Sequence, residues 1–96
     1  MGKLSHDDAK ARLADLAEGW ALDEDGTALA RSFETRNFLS AQNIALLAGA
    51  IGEAMGHHPD LSYGWGHARI VFTSHDAGGL TARDFDVAAR LDAALG

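Results

Sequence analysis

What most constrains this chain is the order in which its hydrophobic periodicity changes. Apolar residues recur at helical spacing in three segments, and two pairs of short strand-like runs, each closed by a turn, lie between them. Strand–helix–strand alternation is absent. Two hairpins joined by a helix predict an α+β fold: a four-stranded antiparallel sheet with helices packed on one face, in the order α-β-β-α-β-β-α. The second face of such a sheet is left for polar residues, a site or an interface.

The boundaries follow from local chemistry. Ser5 to about Glu18 reads as a helix, with Ser5 and Asp8 in the pattern of a capping box and Ala9, Leu13, Leu16 and Trp20 as an apolar stripe. Gly19 is the expected stop. Trp20 to Asp23 and Ala28 to Thr35 read as a hairpin through Glu24-Asp25-Gly26-Thr27, where glycine supplies positive φ. The longest helix runs from Asn37 or Ser40 to about Gly56. Ile44, Leu47, Ile51 and Met55 form its apolar stripe, and Ala41, Ala45, Gly49, Gly52 and Gly56 form a second stripe of small residues beside it. Interior glycine costs ~1 kcal/mol relative to alanine in a helix. Its repetition on one face has two explanations, close approach of another element or an Ala- and Gly-rich composition. Leu61 to Gly66 and Ala68 to His75 read as the second hairpin. Thr81 and Asp84 repeat the capping-box pattern ahead of a last helix with Phe85, Ala88, Leu91 and Leu95 on its inner face.

Composition narrows the function classes. Ninety-six residues suit one domain, residues 1–96, and 47% hydrophobic with 23% charged residues is globular rather than disordered usage. Fourteen Asp and Glu against eight Lys and Arg give a net charge of −6, which argues against nucleic-acid binding and against a basic membrane-surface protein. The absence of cysteine excludes disulfides, thiolate catalysis, Cys-ligated zinc and iron–sulfur clusters. No apolar run approaches the roughly 20 residues of a membrane span, and MGKLSHDDAK lacks the apolar core of a secretory signal. The expected location is cytoplasmic. A chain this short buries only a little over ~60% of its unfolded surface, which favours homo-oligomers.

The candidate chemistry lies in Glu53-Ala54-Met55-Gly56-His57-His58-Pro59-Asp60, in His75-Asp76 and in Asp84. Pro59 disfavours helix at His58, so the helix ends there and the two histidines, adjacent in extended chain, point in different directions. Three readings compete: a metal site, polar caps and turns without chemistry, and metal-free acid–base catalysis. Adjacent histidines rarely ligate one ion together, and no H-x₃-H pair on a helix is present. An imidazole with its unperturbed pKa of about 6.5 gives or takes a proton near neutrality. Several around one cleft suit a reaction that protonates a leaving group and removes a proton elsewhere.

The combined pattern resembles the pterin-4a-carbinolamine dehydratase family. It consists of Glu53-x₃-His57-His58-Pro59-Asp60, an aromatic at Tyr63 or Trp65, and Thr73-Ser74-His75-Asp76-x-Gly78-Gly79-Leu80-Thr81-x-Arg83-Asp84. Gly19-Trp20, Arg31-x-Phe33 and Phe38 extend the likeness upstream, so it covers nearly the whole chain. Thr73-Ser74-His75 stands where Ser-Thr-His is common in that family. The resemblance implies dehydration of 4a-hydroxytetrahydropterin to quinonoid dihydropterin and water, in recycling of the cofactor of aromatic amino acid hydroxylases. The pterin is then the substrate, and no cofactor or metal is needed. His57 and His75 are the implied proton-transfer residues and His58 the binding and orienting one. Glu53 is placed to orient His57 or to hydrogen-bond the pterin, Asp84 to position His75 or merely cap its helix, and Trp65 or Tyr63 to pack on the pterin ring, an aromatic on a strand being more often part of the core. Family members form dimers or tetramers. Relatives of this fold also stabilise other proteins' assemblies, which makes a non-catalytic binding or dimerisation module the alternative.

Overall fold

The computed structural model describes residues 2–96. Its elements are α1 (His6–Leu13), β1 (Trp20–Leu22), β2 (Ala28–Glu34), α2 (Phe38–Met55), β3 (Asp60–Gly64), β4 (His67–Thr73) and α3 (Ala82–Leu95), with a 3₁₀ turn at His75–Ala77. The strands form one antiparallel sheet in the order β1-β2-β4-β3. Each hairpin thus supplies two adjacent strands, and β2 pairs with β4 along seven residues, from Ala28↔Thr73 to Glu34↔His67. The predicted α+β architecture is the one observed.

Alternation along β4 shows how the layers form. Ala68, Ile70 and Phe72 are buried, while His67 and Arg69 are exposed and Val71 and Thr73 half-buried. Leu29, opposite Phe72, joins them, and α3 adds Phe85, Val87, Ala88 and Leu91. Complete burial of side chains such as Phe72, Leu29 and Ile70 contributes roughly 1.5–3 kcal/mol each. A polar latch closes the edge of this core. Asp92 of α3 accepts hydrogen bonds from Trp20 Nε1 (2.8 Å), Arg31 Nη1 (2.8 Å) and the Ala17 N–H (3.0 Å).

That latch also explains why α1 is shorter than its pattern. The helix ends at Leu13, and Asp15 and Leu16 donate to carbonyls only three residues back, tightening the chain into a turn. Ala17 is then held by Asp92 instead of continuing the helix. At the other end, Ser5 Oγ accepts the Asp8 N–H at 3.1 Å, but the return bond of a full capping box is not formed.

Helix α2 begins with a reciprocal capping box between Asn37 and Ser40. Its 18 residues and mean hydropathy of 1.2 would suit a membrane span by length and composition, although no such run was expected. Here the helix lies on the sheet. Ala41, Ala45, Ala48 and Gly52 are its buried residues, and Ile44, Leu47, Ile51 and Met55 are only partly buried. The small-residue stripe therefore makes the close contact. A Cβ on Gly52 would stand 2.5 Å from Pro59 Cδ and 2.9 Å from the His57 carbonyl oxygen. Glycine is required there because the chain leaving α2 folds back directly beneath it.

Candidate active site

Folding back at the end of α2 aims the histidines. Gly56 takes φ +67°, the His57 N–H bonds the Gly52 carbonyl at 2.9 Å and the Gly56 N–H bonds the Glu53 carbonyl at 3.2 Å. These bonds make a Schellman motif, which terminates a helix and fixes the next residue's backbone. Arg83, in the first turn of α3, donates from Nη2 to the Gly56 carbonyl at 2.6 Å and braces the same corner. Pro59 then carries the chain into β3.

The structure brings His57, His58 and His75 to one hollow of about 390 Å³, at the end of the sheet where β3 starts and β4 finishes. Asp60, Asp76 and Arg83 share its rim. The three imidazoles have unequal settings. His57 is buried and stacks on Phe72, with ring centroids 6.2 Å apart and planes at 17°. Its Nε2 donates to Asp84 Oδ1 at 2.6 Å. Its Nδ1 has no hydrogen-bond partner among the described residues and is not sealed from solvent. His58 is exposed, and its Nε2 lies 2.7 Å from Glu53 Oε1. His75 is exposed and sits in the 3₁₀ turn rather than at a strand end, since β4 stops at Thr73.

Two pairings differ from those expected. Asp84 meets His57, not His75. It is fully buried, and its second oxygen also accepts the Thr81 N–H at 2.9 Å, so it caps α3 and holds His57 at once. Glu53 meets His58, not His57, because the Schellman turn sends His57 inward and leaves His58 over the outer face of α2. Trp65 is not brought to the hollow. It is 73% exposed at the Gly64–Gly66 turn, the far end of the β3–β4 hairpin. The seven residues of β4 separate that turn from the hollow by roughly 20 Å, at about 3.3 Å per strand residue. Tyr63 likewise packs against Phe38 near that end, with centroids 5.7 Å apart and planes tilted by 49°.

Sequence reasoning gave no role to Arg83 or Ser74. Ser74 is buried and donates to Asp84 Oδ2 at 2.7 Å. The signal for Arg83 was its place beside the capping Asp84, but only the packing of α3 against the end of α2 turns that place into a contact with Gly56. No group of three or more His, Asp or Glu side chains among the described residues is arranged to hold a metal ion.

Comparison with known proteins extends this geometry. A family model described as pterin 4 alpha carbinolamine dehydratase matches residues 2–94. A Paracoccus denitrificans protein that carries the provisional name pterin-4-alpha-carbinolamine dehydratase is 47% identical over 93 residues, covering 97% of this chain and 86% of its own. A Chloroflexus aggregans protein with the same provisional name is 38% identical over the full length of both chains. Among solved structures, a transcriptional coactivator/pterin dehydratase from Brucella melitensis superimposes with a TM-score of 0.88 at 24% identity, over 99% of this chain and all of the other. A pterin dehydratase-like protein, identified as a RuBisCO assembly factor in the alpha-carboxysome, gives 0.67 at 21% identity over 82% of this chain and 92% of its own. At these identities the two structures speak to the fold.

Proposed function

Because the chain belongs to the pterin 4 alpha carbinolamine dehydratase family, we propose that it dehydrates a 4a-hydroxytetrahydropterin to the quinonoid dihydropterin. The observation that carries this reading is the convergence of His57, His58 and His75 on one open hollow, with His57 gripped from behind by buried Asp84.

The reaction breaks the C4a–O bond, removes the N5 proton and leaves a C4a=N5 double bond and water. An acid must protonate the departing hydroxyl, and a base must take the N5 proton. Electron donation from nitrogen stabilises the cation between the two events. In this reading His57 and His75 carry those protons, each contributing acceleration of roughly 10²–10⁴-fold. Since Nε2 of His57 is engaged by Asp84, its Nδ1 is the nitrogen that exchanges protons with substrate. His58, steadied by Glu53, orients the pterin. Arg83 fixes the corner that presents both adjacent histidines.

The test is to follow the ultraviolet absorbance of freshly generated 4a-hydroxytetrahydropterin with wild type, His57→Ala, His58→Ala and His75→Ala. Wild type is expected to accelerate its decay over buffer. His57→Ala and His75→Ala lose most of that acceleration, and His58→Ala loses chiefly affinity. Folded wild type without acceleration would refute the assignment.

A second reading, partner binding, is favoured by the exposed apolar side chains Phe38, Leu39, Tyr63 and Trp65 around the opposite end of the sheet. The structural neighbour identified as an assembly factor supports it. A partner captured equally well by the triple histidine variant would establish a role independent of the hollow.

A further inference from the structure

Four polar or charged residues are buried among the described residues, His57, Ser74, Thr81 and Asp84, and all four belong to one hydrogen-bonded chain. Its proton directions follow from what each group can give. Asp84 uses both oxygens as acceptors: Oδ1 for His57 Nε2, and Oδ2 for the Ser74 hydroxyl and the Thr81 N–H. Ser74 has one proton and spends it on Asp84, so across the 3.1 Å contact with Thr81 it must accept. Thr81 Oγ1 in turn accepts the Arg83 N–H at 3.3 Å. The chain therefore runs in one sense, from Thr81 through Ser74 to Asp84, where it meets the proton of His57.

We propose that Ser74 is a positioning residue of the hollow, fixing the orientation and tautomer of His57 through Asp84. With the Thr81 N–H alone, the Asp84 carboxyl would be a helix cap free to swing its outer oxygen. Ser74 approaches Oδ2 from the end of β4 rather than from α3, so the carboxyl is pinned from two elements and Oδ1 is directed at His57. The Ser74 carbonyl also accepts the Ala77 N–H at 3.0 Å, closing the turn that carries His75. One residue thus ties the placement of the buried histidine to that of the exposed one. A shared anchor of this kind, donating to Asp84 and accepting from Ala77, is what a two-histidine mechanism needs, because the distance between acid and base must be kept while substrate enters.

The test uses full-length protein labelled with ¹⁵N-histidine, as wild type, Ser74→Ala and Ser74→Thr, with His57→Gln to assign the signal. In wild type, neutral His57 is expected to carry its proton on Nε2 alone. In Ser74→Ala the Nε2–H signal broadens and the nitrogen shifts move toward a mixture of tautomers. Ser74→Thr, which keeps the hydroxyl, restores the wild-type pattern. In parallel, kcat is expected to fall about tenfold in Ser74→Ala, the scale of one hydrogen bond to a charged group, with KM changed less than about twofold. Ser74→Cys, close in size and a poor donor, gives the same readout should the alanine variant not fold. The kinetic part rests on the dehydratase reading, whereas the spectra do not. Wild type that leaves the pterin untouched, with spectra shifting as stated, refutes that reading and supports the positioning role. An unchanged His57 spectrum in Ser74→Ala overturns the positioning role whatever the kinetics.

Discussion

Two of the histidines that line the hollow are each paired with a carboxylate, at nearly equal distance. His57 and Asp84 are 2.6 Å apart, with side chains 10% and 0% exposed; His58 and Glu53 are 2.7 Å apart, at 66% and 79%. Distance does not separate them, but solvent does. Around the outer pair water screens the attraction and can replace either partner, so such a contact is worth 0–1 kcal/mol at most sites. The inner pair has no water to fall back on, and each group needs the other's hydrogen bond to be tolerated in the core. The same two functional groups therefore act as an adjustable contact outside and as a fixed mount inside.

Asp84 gives the largest expected break in this contrast. Asp84→Ala strands His57 Nε2, the Ser74 hydroxyl and the Thr81 N–H in the core. It should cost about 3–5 kcal/mol in urea unfolding, the range for removing one member of a buried pair. Asp84→Asn keeps the volume but turns an amide toward His57, which upsets its tautomer. Turnover should fall by about 10²-fold or more, the scale of losing one acid–base group. An Asp84→Ala protein as stable as wild type would mean that the inner pair is as dispensable as the outer one.

The histidines sharpen the same point. His75→Ala is expected to lower turnover by roughly 10²–10⁴-fold, yet to change stability by no more than about 0.5 kcal/mol, as for other exposed positions. His57→Ala should lose both, since it empties a site against Phe72 and leaves Asp84 without its partner. Turnover and urea unfolding measured on both variants check the split; equal stability losses would remove the distinction between inner and outer imidazoles.

This distinction marks the limit of what the sequence disclosed. The architecture was legible because periodicity and turn chemistry are local: Asn37, Gly56 and Thr81 bound their helices in the structure as their residue types suggest. The convergence of the three histidines was legible because a helix stop before Pro59 and a strand expected to run to His75, which ends two residues earlier, bring them to the same end of the sheet. The pairing of carboxylates was not. Asp84 is 27 residues from His57 and nine from His75, and sequence proximity favoured the nearer histidine. Only the packing of α3 against the end of α2 decides for the farther one. Trp65 was misplaced for a similar reason: an aromatic between two motif segments looks close to both, but a hairpin holds its turn a full strand length from its open end.

Glu53 tests the outer pair directly. Glu53→Gln should leave the unfolding midpoint within experimental scatter, because the stability at stake is under about 1 kcal/mol. Any effect should fall on KM, by about two- to fivefold, and should shrink as salt screens the wild-type contact. A loss of stability comparable to Asp84→Ala would show that exposure does not set the worth of these pairs.

Asp23 supplies the smallest effect and a third case, a carboxylate that is exposed yet surrounded by donors. Desolvation is the largest single influence and raises its pKa, but the Ala28 and Thr27 N–H groups, the Thr27 hydroxyl and the Gly26 N–H together outweigh it and hold the group below its ordinary 3.8. Two of these bonds are 2.7 and 3.0 Å long and close the β1–β2 turn. A folded-state pKa below the unfolded one adds stability that is complete above about 3.8 and disappears as pH falls through the folded value. Asp23→Asn should therefore be slightly less stable than wild type at neutral pH, by a fraction of ~1 kcal/mol because water screens the site. The gap should close below pH 3.8. Thermal unfolding of both proteins across that range measures it. A gap that persists undiminished in acid would mean that the turn depends on the shape of the side chain rather than on its charge, and that water levels the outer carboxylates more completely than their hydrogen bonds suggest.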